Sequence, residues 1–187
     1  MKILALCYKK GVGKDTLGKF ILTNLRVAAP GKRIQVVSFA DKLKDICYQL
    51  FNWADLQPGY YYETHRKDKE KILPKIGKSP REIWIGVGNK MREFYPNTWL
   101  NYALKGIVAD IVIITDCGFT NEAKAVKTAG GMLCKINRDG LEQGTDGRET
   151  ELDSWSDWDY IVTNDGDFGE LNEVAIKLSY ILLGVRR

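Results

Sequence analysis

Lys9-Lys10-Gly11-Val12-Gly13-Lys14-Asp15-Thr16 decides how this chain is read. It follows an apolar run, Ile3 to Tyr8, and opens a helical pattern on Leu17, Phe20, Ile21 and Leu25. Strand, glycine loop and helix in that order are the context that a phosphate cradle requires. A helix N-terminus presents unpaired N–H groups and a partial positive charge, and glycines let the backbone approach an anion closely. In that cradle Lys14 reaches the β- and γ-phosphates of a bound nucleotide. The spacing departs from G-x-x-x-x-G-K-[ST] at two places: Tyr8 stands at the first glycine, and Asp15 stands at the hydroxyl, with Thr16 one place late. The plain alternative is a turn shaped by Gly11 and Gly13 with no ligand. Position favours the phosphate, because open parallel sheets take ligands beyond the carboxyl ends of their strands.

A length of 187 residues with 44% hydrophobic and 28% charged content suits one soluble folding unit, 1–187, with a sizeable core. The formal charge of +4 is unevenly spread: residues 139–173 carry twelve acids against the single base Arg148, so the phosphate-loop part of the chain is strongly basic. That distribution fits an anionic ligand, and no nucleic-acid motif stands beside it, so no direct nucleic-acid binding is expected. Cys7, Cys47, Cys117 and Cys134 lack C-x-x-C spacing and lie in or beside apolar runs, so buried reduced thiols are expected. The first apolar run is six residues long, short for a signal-peptide core, and no run approaches the ~20 residues of a membrane span. A cytoplasmic protein without membrane attachment is the expectation. The sole histidine, His65, has no partner at ligand spacing and receives no role.

Along the chain, Ile34–Phe39 reads as a second buried strand, and Asp41 as the cap of a helix with Leu43, Ile46, Cys47, Leu50 and Phe51 on its apolar face. Residues 52–79 are the least regular. Ser79-Pro80-Arg81-Glu82 forms a capping box with proline in the first turn, opening a helix whose apolar face is Ile83, Val87, Met91 and Phe94. Thr98 reads as the cap of the next helix. Ile111–Asp116 is the most hydrophobic strand and ends in a carboxylate, the form of a Walker B element that places Asp116 near nucleotide-bound Mg²⁺. A helix over Thr120–Ala129, a strand over Met132–Ile136, a polar lid-like stretch over 137–150 with Arg138 and Arg148, a strand over Tyr160–Thr163 and a last helix complete the pattern. Five strands alternating with helices predict an α/β fold with a parallel, doubly wound sheet.

These motifs together resemble the phage-type deoxynucleoside monophosphate kinases, of the adenylate-kinase-like P-loop fold, over most of the chain. The similarity rests on Gly13-Lys14-Asp15-Thr16, on Ser38-Phe39-Ala40-Asp41 with Leu43-Lys44, on Pro80-Arg81-Glu82 through Gly88 and Arg92 to Trp99, and on Thr163-Asn164-Asp165-Gly166 with Glu170-Leu171. The resemblance implies a five-stranded P-loop NTPase fold with a substrate-side helical region at 52–109 and a short lid at 137–150. It implies ATP and Mg²⁺ as cofactors and phosphoryl transfer to a deoxynucleoside monophosphate. Gly11, Val12, Gly13, Lys14, Asp15 and Thr16 would bind ATP, and Asp15 and Asp116 would hold Mg²⁺ directly or through water. Phe39, Asp41, Lys44, Arg81, Arg92 and Trp99 would bind the acceptor. Lys14, Asp15, Arg138 and Arg148 form the catalytic set, with the two arginines closing over the transferring group. Two positions depart from the family: Ile85 stands where glutamine is usual, and Asp116-Cys117-Gly118 lacks the arginine of Asp-x-Arg.

Simpler fates are open to several of these residues. Phe39 and Trp99 are of a type that usually packs in a core, and Arg92 and Lys44 of a type that usually covers a surface. A P-loop kinase for another phosphorylated acceptor, of the dephospho-coenzyme A or phosphomevalonate type, is the nearest alternative activity, and a non-catalytic nucleotide-binding regulator the alternative class. A homodimer and the host cytoplasm, for a phage-encoded protein, are compatible with all three.

Overall fold

The computed structural model describes residues 1–141 and 150–185, which divide into two compact units, one of Met1–Ser38 with Gly106 onward and one of Phe39–Lys105. The first unit is built on a five-stranded parallel sheet of β1 (Lys2–Cys7), β2 (Ile34–Val37), β3 (Ile111–Cys117), β4 (Met132–Asn137) and β5 (Tyr160–Thr163), in the order β2-β3-β1-β4-β5. Helices α1 (Lys14–Ala28), α6 (Thr120–Thr128) and α7 (Phe168–Leu183) belong to it. From β1 the chain moves to the β2 side, and from β3 it returns to the β4 side, so the strand order reverses at the carboxyl end of β1. A sheet of this kind leaves its ligand crevice at such a reversal.

Burial explains which strands are central. Ile111 to Thr115 are buried without a break and Ile3 to Cys7 likewise, since these strands have neighbours on both edges and are covered on both faces. Strand β2 corrects the expectation of a second buried strand: it ends at Val37, lies at the sheet's edge, and leaves Val36 exposed. One face of the sheet packs Leu4, Leu6, Ile113, Cys134 and Ile136 against Leu17, Ile21 and Leu25 of α1 and Leu171, Ala175, Leu178 and Leu182 of α7. Helix α1 comes close because Gly18 has no side chain: a Cβ there would lie 2.9 Å from Thr115 Cγ2. All four cysteines are buried and free of disulfides. Burial pushes the Cys47 thiol up to about 11 and the Cys134 thiol up to about 12, so both are held neutral.

The second unit is helical: α2 (Asp41–Phe51), α3 (Tyr61–Thr64), α4 (Pro80–Phe94) and α5 (Thr98–Leu104), with short 3₁₀ turns at Asn52–Ala54 and Arg66–Glu70. Together with those of the first unit, these make seven α-helices among the described residues. Helix α4 opens as its sequence dictates. The Ser79 side chain accepts from the Glu82 N–H at 3.3 Å, and the Glu82 carboxylate accepts from the Ser79 N–H at 2.8 Å, with Pro80 in the first turn. Its buried face differs from the expected one, being Pro80, Ile83, Trp84 and Gly88, while Met91 and Phe94 are exposed. The stripe turned inward because Trp84 packs edge-on against Tyr62 at 5.1 Å.

Two expected caps are also corrected. Helix α2 starts at Asp41 itself, behind Ala40, so the carboxylate lies in the first turn, where the helix dipole favours it. Thr98 is the first residue of α5, and its hydroxyl donates back to the Tyr95 carbonyl at 2.7 Å. No helix among the described residues is long and apolar enough to cross a membrane.

Candidate active site

In the sheet unit, the loop from Tyr8 to Gly13 joins the carboxyl end of β1 to the N-terminus of α1. Gly13 is the N-cap residue, at φ 99°, and no side chain caps the helix start. Only glycine fits there comfortably: besides the positive φ, a Cβ on Gly13 would lie 2.4 Å from Asn164 Nδ2. Gly11 has φ 84°, and Tyr8, at the position where the usual motif has glycine, has φ 93°. The loop thus keeps a left-handed turn at that position although the residue type has changed. Lys14 Nζ donates to the Tyr8 carbonyl at 2.6 Å and to the Lys9 carbonyl, which lays its charge along the loop. Asp15 is exposed in the first turn of α1, and Thr16 is half-buried.

Asp116 stands at the site end of β3. The β1–β3 register runs from Lys2↔Ile111 to Ala5↔Ile114 and then shifts, so that Cys7 pairs with Cys117 and β3 holds one extra residue around Thr115-Asp116. Irregularities of this kind re-aim side chains next to sites. The Asp116 carboxylate accepts from Ser38 Oγ at 2.8 Å, which ties the end of β3 to the residue just past β2. Asp15 and Asp116 offer hard carboxylate oxygens, the donor type Mg²⁺ takes when phosphates and water complete its shell. The donor chemistry at this end of the sheet therefore suits that ion. Among the described residues, no group of three or more His, Cys, Asp or Glu forms a protein-only metal cage.

Asn164 has no role legible in residue type alone, and the structure supplies one. It is buried, and its amide donates to the Val12 carbonyl at 2.8 Å, clamping the loop from the residue just past β5. Ser38 is likewise a positioning residue that only its place in Ser38-Phe39-Ala40-Asp41 could have signalled. Glu122 is buried and accepts from the Gly118 and Phe119 N–H groups, fixing the turn that follows Asp116. Arg138 is exposed just past β4, in the part of the 137–150 stretch that precedes 142. Arg148 and the centre of that stretch lie outside the described residues.

In the helical unit, Arg81 and Arg92 both belong to α4. Eleven residues are almost exactly three turns, so they lie on one stripe roughly 16 Å apart along the axis, with Ile85 and Gly88 between them. Arg81 is half-buried and lies 3.6 Å from Glu70. Gly88 is flanked by Leu43 and the Arg92 guanidinium, and its carbonyl accepts from the indole N–H of Trp99 at 3.2 Å. Trp99 is buried, and so is Phe39. Trp99 therefore braces α4 from behind. Lys44 pairs with Asp41 at 3.5 Å, and its stem packs on Gly59.

No family model matches the chain. A protein of Acanthamoeba polyphaga mimivirus named "Putative deoxynucleotide monophosphate kinase" is 28% identical to it over 181 residues, 88% of this chain and 89% of that protein. Among solved structures, a shikimate kinase from Bacteroides thetaiotaomicron aligns over 99% of both chains at 17% identity and a TM-score of 0.42. With its glycine loop between β1 and α1 at the reversal of a five-stranded parallel sheet, this chain has a P-loop fold, and over 88% of its length it is similar to that mimivirus protein.

Proposed function

We propose that this protein transfers the γ-phosphoryl group of ATP, with Mg²⁺, to a deoxynucleoside monophosphate. The observation that carries this reading is the uncapped, glycine-led start of α1, clamped by Asn164 and lined by Lys14. The mimivirus relative's name and the arginine pair of α4 support the choice of acceptor.

The N–H groups at the start of α1 would take the phosphates of ATP, and Lys14 would swing from the Tyr8 and Lys9 carbonyls to the β- and γ-oxygens. Asp15 and Asp116 would hold Mg²⁺, which supplies charge neutralisation between the phosphates when bound. Ser38 keeps the Asp116 carboxylate oriented. Arg81 and Arg92 would take the acceptor's phosphate, and Arg138 and Arg148 would close over the transferring group. With little covalent work to do, positioning and charge neutralisation supply most of the rate. Ile85 offers no hydrogen bond where the family usually has an amide, which favours a site that is permissive toward the base.

A coupled assay of ADP release against the four deoxynucleoside monophosphates and their ribose counterparts tests the reading. The expected result is turnover with at least one deoxynucleotide at a higher kcat/KM than its ribose form. ATP binding without turnover on any nucleotide would move the assignment to another phosphorylated acceptor or to a regulator.

A further inference from the structure

Tyr8 occupies the one place in the phosphate loop where a left-handed backbone is met by a bulky side chain. Only Tyr8 and Asp55 among the described non-glycine residues have positive φ. At 93° an L-residue is strained, and such a conformation persists where its surroundings hold it. The surroundings of Tyr8 are specific. Lys135 of β4 places its Nζ 4.3 Å from the ring centroid, and Lys9 places its own at 5.1 Å. Lys9 is buried and its ammonium lies 3.4 Å from Asp153, in the chain segment that leads from residue 150 into β5. Desolvation first, and the Asp153 carboxylate after it, push the Tyr8 phenol above its usual range, which marks Asp153 as its neighbour too. The Trp158 ring, from the same segment, lies 5.8 Å from Lys135 Nζ. Both carbonyls that receive Lys14 belong to this pair, Tyr8 and Lys9.

We propose that Tyr8 and Asp153 are positioning residues: Asp153, through Lys9 and the Tyr8 side chain, holds the entrance of the phosphate loop in the left-handed turn that glycine would adopt unaided, and so sets where Lys14 rests. Side-chain anchoring thus takes over what glycine's freedom supplies in the usual motif. The anchor rests on the nucleotide reading for its use, but its existence is a property of the loop alone.

The arrangement predicts a coupling that a merely structural Asp153 would not show. Asp153→Ala, Tyr8→Gly and the double variant are compared with the native chain by amide hydrogen exchange of residues 9–14 and by calorimetric titration of ATP without metal. In the Tyr8 background, Asp153→Ala should speed exchange and weaken ATP, each by roughly tenfold, the size of an ordinary coupling between touching residues. In the Tyr8→Gly background the same change should alter both by less than about twofold, because glycine needs no anchor. Equal losses in both backgrounds would overturn the proposal and make Asp153 a residue that only secures its own segment. No loss in either would overturn it as well. If the native chain failed to bind ATP while the exchange pattern held, the nucleotide reading would fall and the anchor would stand.

Discussion

Helices α1 and α4 are each 15 residues long and begin in opposite ways. Every helix start leaves N–H groups without intrahelical partners. In α4 the Ser79–Glu82 box and Pro80 answer that need from within, whereas α1 starts at a left-handed glycine with no side-chain cap. The closed start serves stability and the open start suits an anionic ligand. Basic residues accompany both starts: Lys14 opens α1, and Arg81 lies within the capping box of α4, three turns ahead of Arg92.

The sharpest way to break this contrast is Lys14→Ala. Its charge belongs to the open start, and the core does not depend on it, so the variant should fold while kcat drops about 10²-fold or more. Near-normal turnover in a folded variant would remove the nucleotide role of the α1 start. Arg81→Ala and Arg92→Ala probe the other helix. Each should raise the acceptor's KM about tenfold and leave that of ATP within roughly twofold, as expected when a bidentate phosphate contact is lost at one substrate only. Equal effects on both substrates, or none, would make the arginines structural.

Asp15→Asn sharpens the reading of the open start itself. A carboxylate beside a polyanion is repulsive unless a cation lies between them, so removing its charge should raise the Mg²⁺ concentration for half-maximal rate several-fold. Metal-free ATP binding should stay the same or tighten slightly, and equal loss with and without Mg²⁺ would assign Asp15 to loop shape. The smallest effect belongs to the closed start. Ser79→Ala should cost about 1 kcal/mol, or roughly 2–4 °C in Tm, with ATP affinity untouched. The Glu82 carboxyl lies below its ordinary value of 4.5, chiefly through the Ser79 N–H. Its contribution is therefore complete above that value and lost as pH falls through the depressed folded one. Thermal melts of Glu82→Gln should show a flatter acid slope than the native chain.

Much of this is legible in residue type and spacing. The strand–loop–helix at Ile3 to Leu25 and the capping box at Ser79 are local patterns, and local patterns survive folding because their partners lie within a few residues. The edge position of β2, the inward face of α4 and the clamp from Asn164 were not legible, since each depends on what lies far along the chain. Ile34–Val37 is apolar enough for a central strand, and only the sheet order shows that it has a single neighbour. Trp84 turns α4 because Tyr62 awaits it, which no helical period could reveal. In the candidate site, Lys14, Asp15 and Asp116 followed from motif and strand. The Tyr8–Asp153 relation was hidden because a positive φ on tyrosine leaves no mark in residue type.

The Asn164 bond to Val12 spans 152 positions of sequence. During synthesis the glycine loop leaves the ribosome long before the amide that holds it. Contacts of such separation form late, after the strands between have paired. A nascent fragment that carries the complete loop but stops short of Asn164 would thus lack the grip that shapes it.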